Sequence, residues 1–240
     1  MSIVGALLLW EAASRLLADP ELLPSPGSII PAFLEMLGSG ELYVAVRDSM
    51  ARVAVGYAVG TVAGVLTGLL LGRIALLNAS VGILFDFLKG IPPIALVPLV
   101  IIWFGIGEIS KYIVIAYIVW VVVAISTAVG AREIPVVRLR AGAVFGLSST
   151  AMFRRIILPS SLIYVVAGMR SAIGFAFVAL VSAELIGANT GIGQIVMDAR
   201  FSLQTDKMFV GLLVLGVLGA LIQLAFDLAV AKLKLATRFQ

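Results

Sequence analysis

Six ionisable side chains, Glu11, Asp86, Lys89, Arg170, Glu184 and Asp227, stand inside long apolar runs of a 240-residue chain. They are the conspicuous candidates for chemistry, because the chain holds no cysteine and no histidine. Without a thiol there is no thiolate nucleophile, cysteine metal site or disulfide framework. Without an imidazole the commonest general base and metal ligand is gone. The carboxylates do not cluster beside a metal-ligand pattern, so neither a metal site nor a catalytic residue is expected. What remains is electrostatics. A charge in an apolar medium costs about 2.5–3.5 kcal/mol on insertion scales and seeks a partner, for example Asp86 or Glu184 with Arg170. Alternatively, Arg170 or Lys89 offers positive potential to an anionic solute.

The elements that position these charges follow from composition. The chain is 62% hydrophobic and 12% charged, with a mean hydropathy of +1.17. That leaves too little polar surface for a water-soluble domain. A membrane span takes roughly 20 mainly apolar residues. The runs predict six transmembrane helices, near residues 2–18, 51–72, 78–104, 112–131, 161–186 and 208–231, in one all-α domain covering 1–240. The segment Met1 to Leu17 lacks a basic start and is interrupted by Glu11, so a retained helix is expected rather than a cleaved leader. Pro92, Pro93 and Pro98 must bend or break the third span. Freed carbonyls are tolerated only within protein or beside a cavity, and broken helices often line transport sites. Lys89, Pro92, Pro93, Arg170 and Glu184 are therefore candidates for a translocation path, with a simple bend at Lys89 as the plain alternative.

Gly56, Gly60, Gly64, Gly68 and Gly72 recur every four residues along the second span. Such a stripe lets another backbone approach closely, which matters where lipid supplies no hydrophobic drive for association. Ala18 to Ser49 is polar, with Pro20, Pro24, Pro26 and Pro31, and carries Asp19, Glu21, Glu35, Glu41 and Asp48 against Arg47. Basic residues gather elsewhere, at Arg73, at Arg132, Arg138, Arg140, Arg154 and Arg155, and at Lys232, Lys234 and Arg238. With six spans all of these fall on one side, which the positive-inside rule makes cytoplasmic, together with both termini. The acidic stretch and the loop around Arg200 and Lys207 then face outward. Basic residues placed beside apolar spans point to membrane lipid and not to nucleic acid.

The segment 132–159 is too patterned for a simple connection. Pro135 suits a first helical turn, and Val136 to Phe145 forms a short helix that Gly146 ends. Ser148 or Ser149 caps a second helix through Ile157. Leu158 before Pro159 predicts a turn into the fifth span. The result is a pair of short helices, basic on one side and apolar on the other, resting on anionic lipid or docking a soluble partner.

Here the residues carry a resemblance. Gly146, nine residues, then Ile156-Ile157-Leu158-Pro159 resembles the cytoplasmic coupling signature of ABC importer permeases, Glu-Ala-Ala, three residues, Gly, nine residues, Ile-x-Leu-Pro. The first three positions fall on Arg140, Ala141 and Gly142, so the usual glutamate is replaced. Glu11-Ala12-Ala13 spells the triplet without the downstream pattern. Asp48-Ser49-Met50-Ala51-Arg52, Gly90-Ile91-Pro92-Pro93, Trp103 to Glu108, Gly168-Met169-Arg170, Ala183-Glu184 and Gly191-Ile192-Gly193 are similar to the nitrate/sulfonate/taurine/bicarbonate branch of binding-protein-dependent transport inner-membrane components.

The resemblance implies a type I importer permease. Two permeases pair, with a homodimer the commoner arrangement, and two ABC ATPases dock on the coupling helices. A periplasmic or lipid-anchored substrate-binding protein delivers a small anionic solute. It makes Arg140, Ala141, Gly142, Gly146, Ile156, Leu158 and Pro159 the ATPase-coupling residues, acting by shape and contact. The chain has no G-x-x-x-x-G-K-[S/T] phosphate loop, so ATP and Mg belong to the partner ATPase, and this chain is expected to bind no cofactor and to be no enzyme. The rival reading is an ion-coupled secondary transporter acting without an ATPase.

Overall fold

The computed structural model describes residues 3–17 and 23–232, all of whose regular structure is helical. Pro20, Asp19, Glu21, Lys234 and Arg238 lie outside the described residues. In chain order the helices are α1 (Ile3–Leu17), α2 (Pro26–Gly38), α3 (Glu41–Arg73), α4 (Ala75–Leu88), α5 (Pro93–Phe104), α6 (Glu108–Arg132), α7 (Val136–Val144), α8 (Ser149–Met152), α9 (Leu158–Gly187), α10 (Ile192–Phe201) and α11 (Thr205–Lys232). A π-helical turn, Phe153–Ile157, joins α8 to α9 in one continuous rod.

Among the described residues, α3, α6, the Ser149–Gly187 rod and α11 are each long and apolar enough to cross a membrane, and α4 with α5 makes a fifth crossing if the bent pair is one span. The span expected near 2–18 corresponds to α1, whose 15 residues fall short of the roughly 20 that a bilayer asks for. The second span begins earlier than its apolar run suggests. Glu41 to Ser49, expected as external polar chain, forms the start of the 33-residue α3. At 1.5 Å per residue this helix is about 50 Å long against a hydrocarbon layer of about 30 Å, so its first turns stand beyond the apolar region. The proline-rich stretch also contains α2, capped where Ser28 N donates to Ser25 Oγ at 3.2 Å.

Helix directions decide whether α4 and α5 cross. An added Cβ at Gly56, Gly60, Gly64, Gly68 or Gly72 would meet Ile115, Val119, Val123, Thr127 or Ala131 at 2.5–2.7 Å. Each glycine thus faces the residue 59 positions on (115 − 56 = 59, 131 − 72 = 59), so α3 and α6 run parallel in constant register. Tyr57 Oη donates to Met169 O, and Gly130 and Gly168 press on Tyr164 and Ser126, so α9 is antiparallel to both. Parallel neighbours need a return crossing between them, and only residues 74–107 are available to make it. The 95° bend between α4 and α5 therefore lies within a broken span.

The core is the α3–α6–α9 seam, with Val53, Val114, Ile115, Val119, Val123, Ala172, Ala176 and Leu180 buried and α5 contributing Val97 and Val100. The outer faces stay apolar: Leu212, Leu213, Val217, Leu221, Leu224 and Leu228 of α11 are all exposed. That inversion of the soluble-protein pattern fits a chain solvated by lipid.

Candidate functional site

Three charge-bearing places are built on this frame. The first is an ion cluster, buried at Arg52, Lys111 and Glu184 and exposed at Glu108, at the bundle end formed by the starts of α3 and α6 and the end of α9. Arg52, on α3, is 1% exposed. Its Nε and Nη2 donate to Glu108 Oε2 and Oε1 at 2.7 and 2.8 Å, and its Nη1 to Glu184 Oε1 at 2.6 Å. Nη1 and Nη2 also reach Thr190 O and Thr190 Oγ1 at 2.6 and 3.1 Å. A guanidinium has five N–H donors, and these five bonds use them all. Glu184 is completely buried; it also accepts from Ser49 Oγ at 2.8 Å and, through Oε2, from Gly193 N at 2.8 Å in the first turn of α10. Lys111 Nζ completes the cluster on Glu108 at 2.9 Å, and Thr190 Oγ1 donates to Asp48 Oδ2 at 2.7 Å. Gly191, at φ +126, leaves no room for a side chain: a Cβ there would lie 2.5 Å from Glu184 Cδ and 2.6 Å from Arg52 Nη1. Burying such charges is tolerated only with this degree of satisfaction.

The expected partnership of Arg170 with Asp86 or Glu184 is corrected here. Glu184 belongs to Arg52, and Asp86 pairs with Lys89 at 2.8 Å, one helical turn away. Arg170 instead pairs with Asp227 of α11 at 2.8 Å. With its amide oriented to satisfy both neighbours, Gln223 donates to Arg170 O at 3.2 Å and accepts from Arg170 Nε at 3.1 Å. This group borders a mostly apolar cavity of about 460 Å³ between α9 and α11, lined by Leu162, Val166 and Phe226. Glu184 is enclosed away from it.

The second place is the elbow of the broken span. Pro92 caps α5 and Pro93 begins it, while Pro98 is absorbed inside the helix. At the break, Leu88 O accepts from Ile91 N at 3.0 Å and lies beside the Tyr117 hydroxyl of α6, whose single proton can be given to Leu88 O or to Ile91 O, 3.3 Å away. Such partners are what polar backbone at a helix break in a membrane requires. Lys89 and Asp86 are both exposed at this elbow.

The third place lies at the opposite bundle end. There α7 terminates in a Schellman motif: Gly146, at φ +68, donates to Ala143 O and Leu147 N to Gly142 O, both at 3.0 Å. Ser148, rather than Ser149, caps the next helix through Ala151 N. Gly142 is buried, and a Cβ on it would meet Ile156 and Met152 at 2.7–2.8 Å, so this small residue sets the distance between the two helices. The expected turn at Leu158–Pro159 does not occur. The chain continues as helix, Leu158 N bonding Phe153 O across the wider π turn. That widening accommodates a proline ring that would otherwise clash with the preceding turn. Arg140, Ala141, Leu158, Val137, Val144 and Phe145 are exposed there, beside exposed Arg138, Arg154 and Arg155.

Arg52, Glu108, Lys111 and Ser49 are members of this cluster to which the sequence reading gives no role of their own, while Thr190 is read there only as part of an external turn. Their signal is nevertheless present, because four of the stretches carrying the resemblance, around 48–52, 103–108, 183–184 and 191–193, converge on this one cluster. Among the described residues no group of His, Cys, Asp and Glu could hold a metal ion.

Comparison with known proteins agrees with this architecture. Residues 60–235 match the family described as "Binding-protein-dependent transport system inner membrane component". The chain is 36% identical to SsuC of Escherichia coli K12, named as an aliphatic sulfonates transport permease, over 94% of this chain and 86% of that protein. It is 30% identical to the taurine transport system permease protein TauC of the same organism, over 90% and 80% of the two chains. It is 27% identical to the nitrate import permease protein NrtB of Synechocystis, over 92% and 83%. The fold is shared with a chain of the MetNI methionine ABC transporter in an inward-facing conformation, with TM-score 0.68, 23% identity, and coverage of 80% of this chain and 96% of that one.

Proposed function

This chain belongs to the family of binding-protein-dependent transport inner membrane components, and we infer that it forms the translocation path of an ATP-driven importer for a small anionic solute. The observation that carries this reading is the rigid α7–α8 element, presented with its apolar and basic side chains exposed at one end of the bundle. A separate ABC ATPase docks there, holding the ATP and Mg that this chain has no phosphate loop to bind, and a separate binding protein delivers the solute. The chain itself performs no bond chemistry and holds no cofactor. Family membership disfavours the ion-coupled carrier.

Arg73, Arg132, Arg140, Arg154, Arg155 and Lys232 lie at the α7 end, and the positive-inside rule makes that end cytoplasmic. The carboxyl-terminal end of α11 lies on that side, whereas the 15-residue α1 is too short to carry the amino terminus across by itself. The anionic solute is supported by relatives named for sulfonates, taurine and nitrate, which share an oxyanion group. Lys89 with Pro92 and Pro93 at the elbow, and Arg170 beside its cavity, supply the positive potential along the path. Each cation is held by a neighbouring carboxylate, so an anion meets a weakened charge and is released. A second copy of this chain completes the path as a homodimer. Glu184 serves the path indirectly, by fixing the ends of the helices that form it.

Gentle extraction of the tagged chain from its host, followed by mass spectrometry, tests the assignment. An ATPase with a phosphate loop should co-purify, with no second, different permease. Recovery of the chain alone after crosslinking in intact membranes would overturn the assignment in favour of the ion-coupled carrier.

A further inference from the structure

We propose that the cleft between the α2–α3 junction and α10 is the docking groove for a basic, polar segment of the external binding protein, a proposal that rests on the importer reading above. The cleft has a volume of about 500 Å³ and lies at the bundle end opposite α7. Glu41 and Tyr43 stand on one wall, Asn189, Gln194 and Asp198 on the other. Among the described residues its charged lining is wholly acidic: Glu41 and Asp198 are both exposed, and no lysine or arginine among them lines it. Tyr43 is 68% exposed, and an aromatic ring with a polar tip beside carboxylates is a common anchor in protein interfaces.

Charge decides the occupant. Two carboxylates repel an anionic solute and an anionic lipid headgroup alike. A second copy of this chain meeting the same surface across a two-fold axis would set acid against acid. A lysine- or arginine-bearing loop with amide side chains fits instead, paired to Glu41 and Asp198 and hydrogen-bonded to Asn189 and Gln194.

The far wall is also preformed. Thr190 and Gly191 line the cleft and belong to the ion cluster, Thr190 through its carbonyl and hydroxyl on Arg52, Gly191 through its packing on Glu184. A wall held by buried charge needs little ordering when a partner seats on it, which favours binding.

The test uses the assembled importer in detergent with its own binding protein. Carrying Glu41→Lys and Asp198→Lys together should weaken binding by roughly tenfold or more and flatten its salt dependence. The amide pair Glu41→Gln and Asp198→Asn should shift both in the same direction by less, and it carries the test if the reversed pair fails to assemble. Because the chain lacks cysteine, Asn189→Cys provides a unique crosslinking point, expected to reach a basic loop of the binding protein. Unchanged affinity and salt response, or a crosslink to lipid or to a second copy of this chain, overturns the groove alone. Failure of the unaltered complex to bind any binding protein withdraws the groove and the importer reading together.

Discussion

Arg52 Nη1 stands 2.6 Å from Glu184 Oε1 across 132 residues of sequence, and both side chains are shut off from solvent. The pair ties the start of one long helix to the end of another, and Glu108 adds a third. A buried ion pair gains little over well-packed apolar residues, but breaking one leaves a desolvated charge behind. Its role here is to specify which helix ends meet.

Removing one partner should therefore be worse than removing both. Glu184→Ala should destabilise the chain by about 3–5 kcal/mol, while Arg52→Met combined with Glu184→Leu recovers part of that loss. Thermal unfolding of the purified chain in detergent measures both. A Glu184→Ala chain melting with the unaltered one would show that the cluster does not hold the helices.

The glycine stripe predicts a contrast between positions. At Gly60 an added Cβ would lie 2.5 Å from Ala116 O, a backbone atom that cannot step aside, so Gly60→Ala should cost about 1–3 kcal/mol through overpacking. At Gly219 nothing lies within 4 Å, and Gly219→Ala should be neutral or stabilising by up to about 1 kcal/mol. Melting temperatures of the two variants, compared in one detergent, decide it.

Gly146 ends α7 at a positive φ that other residues resist. Gly146→Ala should cost about 1 kcal/mol locally, and Gly146→Asn less. Hydrogen exchange of the α7 amides should quicken in that order, alanine more than asparagine, with the spans unaffected.

Arg140 is exposed and stands where the coupling signature has an acid. If it meets an acidic group on the ATPase, Arg140→Glu weakens recovery of the ATPase with the tagged chain, and a basic substitution on the ATPase restores it. Equal recovery and equal uptake would mean that this position makes no tuned contact.

Much of the fold is legible in the residues themselves. Apolar runs of span length mark α3, α6, α9 and α11, because the bilayer imposes a length and a composition that any window of sequence displays. Pro92 and Pro93 mark the elbow by their missing donors, and Gly146 marks the end of α7. The short α10 and the early start of α3 are less visible, because their polar residues read as connecting chain until their buried faces are known.

The sequence by itself determined the solvent, the family, the broken third span and the spacing of the glycine stripe, since each depends on local periodicity or on residues that change backbone conformation alone. Only the tertiary structure decided that the stripe faces α6 in a constant register of 59 residues, that Arg170 belongs to Asp227, and that Ser49, Arg52, Glu108, Lys111, Glu184 and Thr190 form one cluster. A charge in an apolar run announces that it needs a partner but carries no trace of which one. That choice is made when helices pack, by which ends come level and which donors the burial leaves to be satisfied.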